Sequence, residues 1–173
     1  MKKMSILLAA AAVIAVNAGE LLVNTDLSKG MDKFIVYQEK KGKRVNPEIV
    51  TEDGAKAIQF AKPAAGYANV YQKVDLKPGK YVASYEVKAD PVEARVSYAY
   101  VYGNDVNKDG KRSGKNFLYM DDGLRKKGNT SWHKVTKQFT VPATGKTSLI
   151  HFVVRPQYEG TVLFRNFSIK AVK

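Results

Sequence analysis

The chain has 173 residues, 29 Lys or Arg against 16 Asp or Glu, a formal net charge of +13, and no cysteine. That length allows one ordinary domain with a real core and little room for a second. The missing cysteines exclude disulfides, a thiol nucleophile, a thiolate metal site and an acylated-cysteine anchor, while the excess of base favours anionic partners.

In chain order, Lys2 and Lys3 precede an apolar run over 5–16, and Val16-Asn17-Ala18 supplies a small-residue exit of the kind signal peptidase reads. The run is shorter than the roughly 18 to 20 residues a bilayer span needs. We therefore read 1–18 as a cleaved signal peptide and 19–173 as a single exported domain, monomeric, periplasmic or extracellular, with no membrane span. Cleavage removes two bases and no acid, which leaves 27 against 16, or +11.

No later segment sustains helical apolar spacing; short alternating runs rich in Val, Ile, Tyr and Phe recur instead, the pattern of strands. The expected strands are 21–23, 34–38, 48–51, 57–61, 68–76, 81–89, 94–102, 117–120, 132–141, 148–155 and 160–171. Turn formers separate them at 52–54, 77–79, 104–110, 121–123, 142–145 and 159–160. About ten short strands so spaced predict an all-β fold, an antiparallel β-sandwich of jelly-roll type.

Alternation assigns faces within strands. Tyr81, Ala83, Tyr85, Val87 and Ala89 read as core, which turns Val82, Ser84, Glu86 and Lys88 outward. Ile150, Phe152 and Val154 face in and His151, Val153 and Arg155 out, while Tyr71 and Lys73 lie opposite Val70, Gln72 and Val74. In 95–102, Val96, Tyr98, Tyr100 and Tyr102 share one face. Two readings stand there: the tyrosines form an outward stacking platform, or they fill the core, because a one-residue slip inverts the strand. Trp132, the sole tryptophan, opens a strand and is read as packed in the core.

Asp105, Asn107, Asp109 and Gly110 match the first half of a calcium-loop pattern, but position twelve of that loop is Asn116 and Lys108, Lys111 and Arg112 oppose a cation. A turn that binds nothing is the preferred reading, with calcium at these residues second; no other cofactor is implied. With His133 and His151 the only histidines and no nucleophile elbow, hydrolytic triads and zinc chemistry lack their parts. No spacing singles out a glycosidase carboxylate pair. No nucleic-acid recognition motif appears, and export makes such a partner unexpected.

The order of motifs has a further consequence. L-L-V-N-T-D-L (21–27), A-I-Q-F (57–60), V-Y-Q-K-V-D-L-K-P-G-K-Y-V-A-S-Y-E-V-K-A (70–89), W-H-K-V-T-K-Q-F-T-V-P (132–142) and G-T-V-L-F-R-N-F-S-I (160–169) together resemble the carbohydrate-binding modules of families 4, 9 and 22, within the galactose-binding-like jelly rolls. The resemblance implies a jelly roll that binds polysaccharide or glycoconjugate without catalysis. An acidic polysaccharide would suit the charge. The candidate ligand-binding residues are then Tyr71, Glu86, Tyr98, Tyr100, Tyr102, His151 and Arg155. The alternative is a structural or adhesive surface protein that binds another protein.

Two departures stand out. The resembling modules are commonly attached to a glycoside hydrolase, which this chain lacks. They also often hold calcium between the N-terminal strand and an acid in the last strand, near an F-D-D-V pattern; here that place reads Phe164-Arg165-Asn166-Phe167. Arginine cannot ligate a cation, so Asp26 and Arg165 are expected to pair directly in its stead.

Overall fold

The computed structural model describes residues 19–38, 47–60, 68–89, 98–106, 112–121, 131–141, 149–155 and 161–173; over 98–106, 112–119 and 149–155 it describes backbone course and pairing. Ten strands run through these segments: β1 (Ile35–Gln38), β2 (Glu48–Glu52), β3 (Ala55–Phe60), β4 (Ala68–Asp75), β5 (Gly79–Ala89), β6 (Tyr98–Val106), β7 (Arg112–Asp121), β8 (His133–Val141), β9 (Leu149–Arg155) and β10 (Val162–Ala171). They form two five-stranded sheets, ordered β1-β4-β9-β6-β7 and β2-β3-β10-β5-β8, with antiparallel pairing throughout. The fold is the expected jelly-roll sandwich.

The alternation in β5 holds on its inner side. Tyr81, Ala83, Tyr85, Val87 and Ala89 are all buried. Tyr85 sits between the sheets: its ring lies 5.9 Å from that of Phe164 on β10, and its hydroxyl donates to the Met120 carbonyl on β7 at 2.9 Å. Phe60 of β3 meets Phe164 edge-on at 5.9 Å. Each such side chain taken from water contributes about 1.5 to 3 kcal/mol, so an ordinary hydrophobic core suffices without cross-links. On the outward side, Ser84 lies opposite exposed Thr136 and half-buried Ser168 but is itself only 9% exposed.

In β10 the register against β5 slips between Arg165, opposite Glu86, and Ser168, opposite Ser84. Asn166 takes the extra residue in a left-handed conformation (φ 53°), which asparagine tolerates better than most residues. The bulge lets Phe164 and Phe167, three residues apart, both reach the core while Arg165 stays on the outside. Strict alternation would have sent one of the two rings to solvent.

A tight turn joins β2 to β3. Glu52 pairs with Ala55, so Asp53 and Gly54 alone make the loop, with φ of 50° and 74°. Positive φ at both central positions is the hairpin geometry that Asp-Gly favours.

Two expected strands differ from the structure. Segment 21–23 makes one ladder-like bond, from Leu21 N to the Ile169 carbonyl at 3.0 Å, and then curls through left-handed Asn24 and Leu27. Side chains replace the missing ladder. The Gln72 amide, 2% exposed, acts as a peptide group toward Val23: its Oε1 accepts from Val23 N at 3.1 Å, and its Nε2 donates to Val23 O at 2.6 Å. Glu20 Oε1 accepts from Leu21 N, Leu22 N and Ile169 N, and Oε2 from the Ser168 hydroxyl. The second difference is extension: the strand expected over 94–102, whose first residues 94–97 lie outside the described ones, continues to Val106, because β7 begins earlier than expected and carries the pairing to Val106 opposite Arg112.

The expected signal segment 1–18, Asn107, Asp109 and the turns at 142–145 and 159–160 lie outside the described residues. Among the described residues no helix is long and apolar enough to cross a membrane.

Candidate binding face

The sheet β1-β4-β9-β6-β7 brings together six of the seven candidate ligand-binding residues. On β4, Val70, Gln72 and Val74 are buried, Lys73 is exposed and Tyr71 is half-buried, the parity that alternation predicts. Register then extends across the sheet. Tyr71 opposes Val153 on β9; Val153 opposes Tyr100 on β6; Tyr100 opposes Tyr119 on β7. Ile35 of β1, at the other end of that row, opposes Tyr71. The next row holds Lys73, His151, Tyr102 and Asn116, and the row on the other side holds Arg155, Tyr98 and Asp121. Between rows, Ala99 opposes Met120, whose side chain is fully buried.

Glu86 is the seventh candidate, and it is not part of this arrangement. It belongs to β5 in the other sheet, where its carboxylate accepts from Arg165 Nε at 2.9 Å. This overturns the expected Asp26–Arg165 pair. Asp26 instead turns its carboxylate back on its own loop and accepts from the Ser28 backbone N–H at 3.0 Å. Hydrogen bonds from the Ser28 backbone and hydroxyl hold the exposed Asp26 carboxyl below its ordinary value. Arg165 is held elsewhere because β10 and β5 are neighbours and the two residues face each other in register.

Around that pair lies a connected polar network on the outer side of the β2-β3-β10-β5-β8 sheet. Arg165 Nη1 donates to the Glu52 carbonyl at 3.3 Å, and its guanidinium carbon stands 3.8 Å from the centre of the Trp132 ring. Trp132 Nε1 donates to Asp53 at 2.8 Å. Lys88 pairs with Glu52 and, at 3.6 Å, with Asp53. Burial acts to raise the Glu86 carboxyl, yet hydrogen bonds from Arg165 and Asn166 and the charges of Arg165 and Lys134 outweigh it and hold it below its ordinary range. Lys88 is pushed up by its hydrogen bond to Glu52, against the effect of burial and with help from Asp53. Trp132 is therefore not in the core, as expected, but half-buried at the rim under an arginine. The Asp-Gly hairpin places Asp53 where the indole N–H can reach it, outside the core.

For a cation, Asp105 lies in β6 opposite Ser113, so the first position of the calcium-loop pattern belongs to a strand ladder. Among the described residues no group of three acidic, histidine or cysteine side chains converges.

Lys73, Tyr119 and Asn116 were not among the expected site residues. The signal existed for Lys73, since it shares its parity with Tyr71. For Tyr119 and Asn116 it did not, because pairing of β7 with β6 is a nonlocal property.

No family model matches the chain, and no curated protein does. Solved structures do. A structure named family 16 carbohydrate-binding module-2 superimposes with a TM-score of 0.62 at 19% identity, over 86% of this chain and 98% of its own. The enzymatically active domain of tailspike protein 4 from bacteriophage CBA120 reaches 0.62 at 13% identity, over 88% of this chain and 21% of its own. The TmCBM61 module, solved with β-1,4-galactotriose, gives 0.55 at 13% identity, over 89% and 99%. Modules of families 22 and 4, two of the three that the sequence resembles, are also among the matches. At these identities the likeness is one of fold: the chain has the jelly roll of carbohydrate-binding modules.

Proposed function

We propose that the protein is an exported, non-catalytic carbohydrate-binding protein whose binding face is the outer side of the β4-β9-β6 strands. The observation that carries this reading is the register. Directly opposed residues in antiparallel strands share a face. Val70, Gln72 and Val74 on one side and Met120 on the other mark the inward parity, so positions 71, 98, 100 and 102 fall on the outward one, with 73, 151 and 155. Of the two readings of the tyrosine run, we adopt the platform.

The chemistry suits a sugar. Aromatic rings offer flat apolar surfaces to the C–H faces of pyranoses, and neighbouring polar groups bond the hydroxyls. Similar folds support it too: among them are a module solved with β-1,4-galactotriose and a xylan-binding domain of Paenibacillus barcinonensis Xyn10C. A glycan array on residues 19–173, followed by titration of the best ligand against Tyr100→Ala, tests the proposal. Binding that falls with the substitution is expected; a ligand indifferent to Tyr71, Tyr100 and Tyr102 alike would overturn it.

A further inference from the structure

On the strength of that reading, we propose that the ligand is an acidic polysaccharide, one that carries carboxylate or sulfate groups along its chain. The backbone register juxtaposes two stripes of different chemistry. Along β6 run Tyr98, Tyr100 and Tyr102; beside it on β9, in exact opposition, run Arg155, Val153 and His151. Lys73 on β4 continues the second stripe from His151. Positions 151 and 155 are four residues apart, about 14 Å at the usual strand rise, so the basic positions bracket the central row that holds Tyr71, Val153 and Tyr100.

A neutral glucan or xylan needs the aromatic stripe and hydrogen-bonding groups beside it, but gains nothing from positive charge on those groups. A polyanion has apolar sugar faces for the tyrosines and an anionic edge for an adjacent line of base, and a guanidinium or ammonium recognises carboxylate and sulfate alike. Acids occupy the margins: Asp121 lies on the edge strand opposite Tyr98, and Asp75 lies at the far end of β4 opposite Leu149. The net charge, +13 for the whole chain and +11 for 19–173, adds a long-range attraction of the same sign.

The experiment must separate a specific basic stripe from that general attraction. Polygalacturonate, dextran sulfate and neutral galactan and xylan are titrated at about 0.15 M salt, where charges farther apart than about 8 Å are largely screened. Three proteins are compared: the parent, the double variant Lys73→Gln/Arg155→Gln, and the equally charged control Lys80→Gln/Lys137→Gln, whose lysines are exposed on β5 and β8. The expected result is a loss of about tenfold or more for a polyanion in the first variant and under about threefold in the control, since each tenfold is about 1.4 kcal/mol. Preference for polygalacturonate identifies the carboxylate source, and preference for dextran sulfate the sulfated one. Equal loss in both variants would overturn the proposal in favour of unspecific charge attraction. Binding of neutral galactan or xylan that is lost in Tyr100→Ala but kept in Lys73→Gln/Arg155→Gln would overturn it while leaving the binding face in place. If none of the four polymers binds, the binding face itself fails.

Discussion

The two outer faces of the sandwich use polar and aromatic residues in opposite ways. Outside β10, β5 and β8, the charges answer one another: Arg165 with Glu86, Lys88 with Glu52 and Asp53, and Trp132 between Arg165 and Asp53. Across β4, β9 and β6, the register sets tyrosine, histidine, lysine and arginine positions side by side, with Asp121 and Asp75 toward the ends of the rows. Groups that satisfy each other stabilise the fold and have little left to offer a ligand. The contrast is therefore between a face whose polar groups stabilise the fold and the face that we propose binds the ligand.

Arg165→Ala should break that contrast with the largest effect. The pair is mostly shielded, with side-chain exposures of 14% and 22%, so removal of the guanidinium leaves the Glu86 carboxylate half-buried without its main donor and uncovers Trp132. A fully buried orphaned charge costs 3 to 5 kcal/mol and an exposed pair well under 1, which places the loss here at about 2 to 3 kcal/mol. Urea unfolding measures it, and glycan affinity should not change. A stability loss below about 0.5 kcal/mol, the usual scatter of surface substitutions, would mean that the network is ornamental.

The converse comes from the other face. Tyr100→Ala should lower affinity about tenfold, about 1.4 kcal/mol, and shift the melting temperature by no more than a surface substitution does. Isothermal titration and thermal melting, run on the same samples, read the two effects. A large fall in melting temperature with unchanged affinity would assign the tyrosine row to the core.

Acid sensitivity gives a smaller and more selective test. The folded Glu86 carboxyl is held below its ordinary value of 4.5. Its contribution to stability is therefore full above that value and fades as pH falls through the lower, folded one. Glu86→Gln should be less stable than the parent at neutral pH and should lose less on acidification to about pH 3. Parallel pH profiles for the two proteins would show that Glu86 has no part in the acid limb.

Smallest of the four is Trp132→Phe. It deletes the hydrogen bond to Asp53 but keeps an aromatic face for Arg165, and a single exposed hydrogen bond contributes about 1 kcal/mol or less. Tryptophan emission is lost with the ring, so circular dichroism is the measurement to use. A loss as large as that of Arg165→Ala would place the weight of the network on the indole instead of the guanidinium.

Much of this was legible along the chain. The two-residue period of 81–89 and the Asp-Gly dipeptide before β3 are local signals, because a pleated strand and a tight turn obey constraints written within a few residues. By the same rule Tyr71 and Lys73 were assigned correctly to the face away from Val70, Gln72 and Val74. Tertiary structure alone decided which strands became neighbours. Only β5-β10 pairing sets Arg165 opposite Glu86, and only the bulge at Asn166 lets Phe164 and Phe167 both turn inward. Only the order β4-β9-β6 lines Tyr71 up with Tyr100 and sends Glu86 to the other sheet. Alternation is a property of one strand; adjacency and register arise from hydrogen bonds and packing between segments far apart in sequence, so no single strand's pattern contains them.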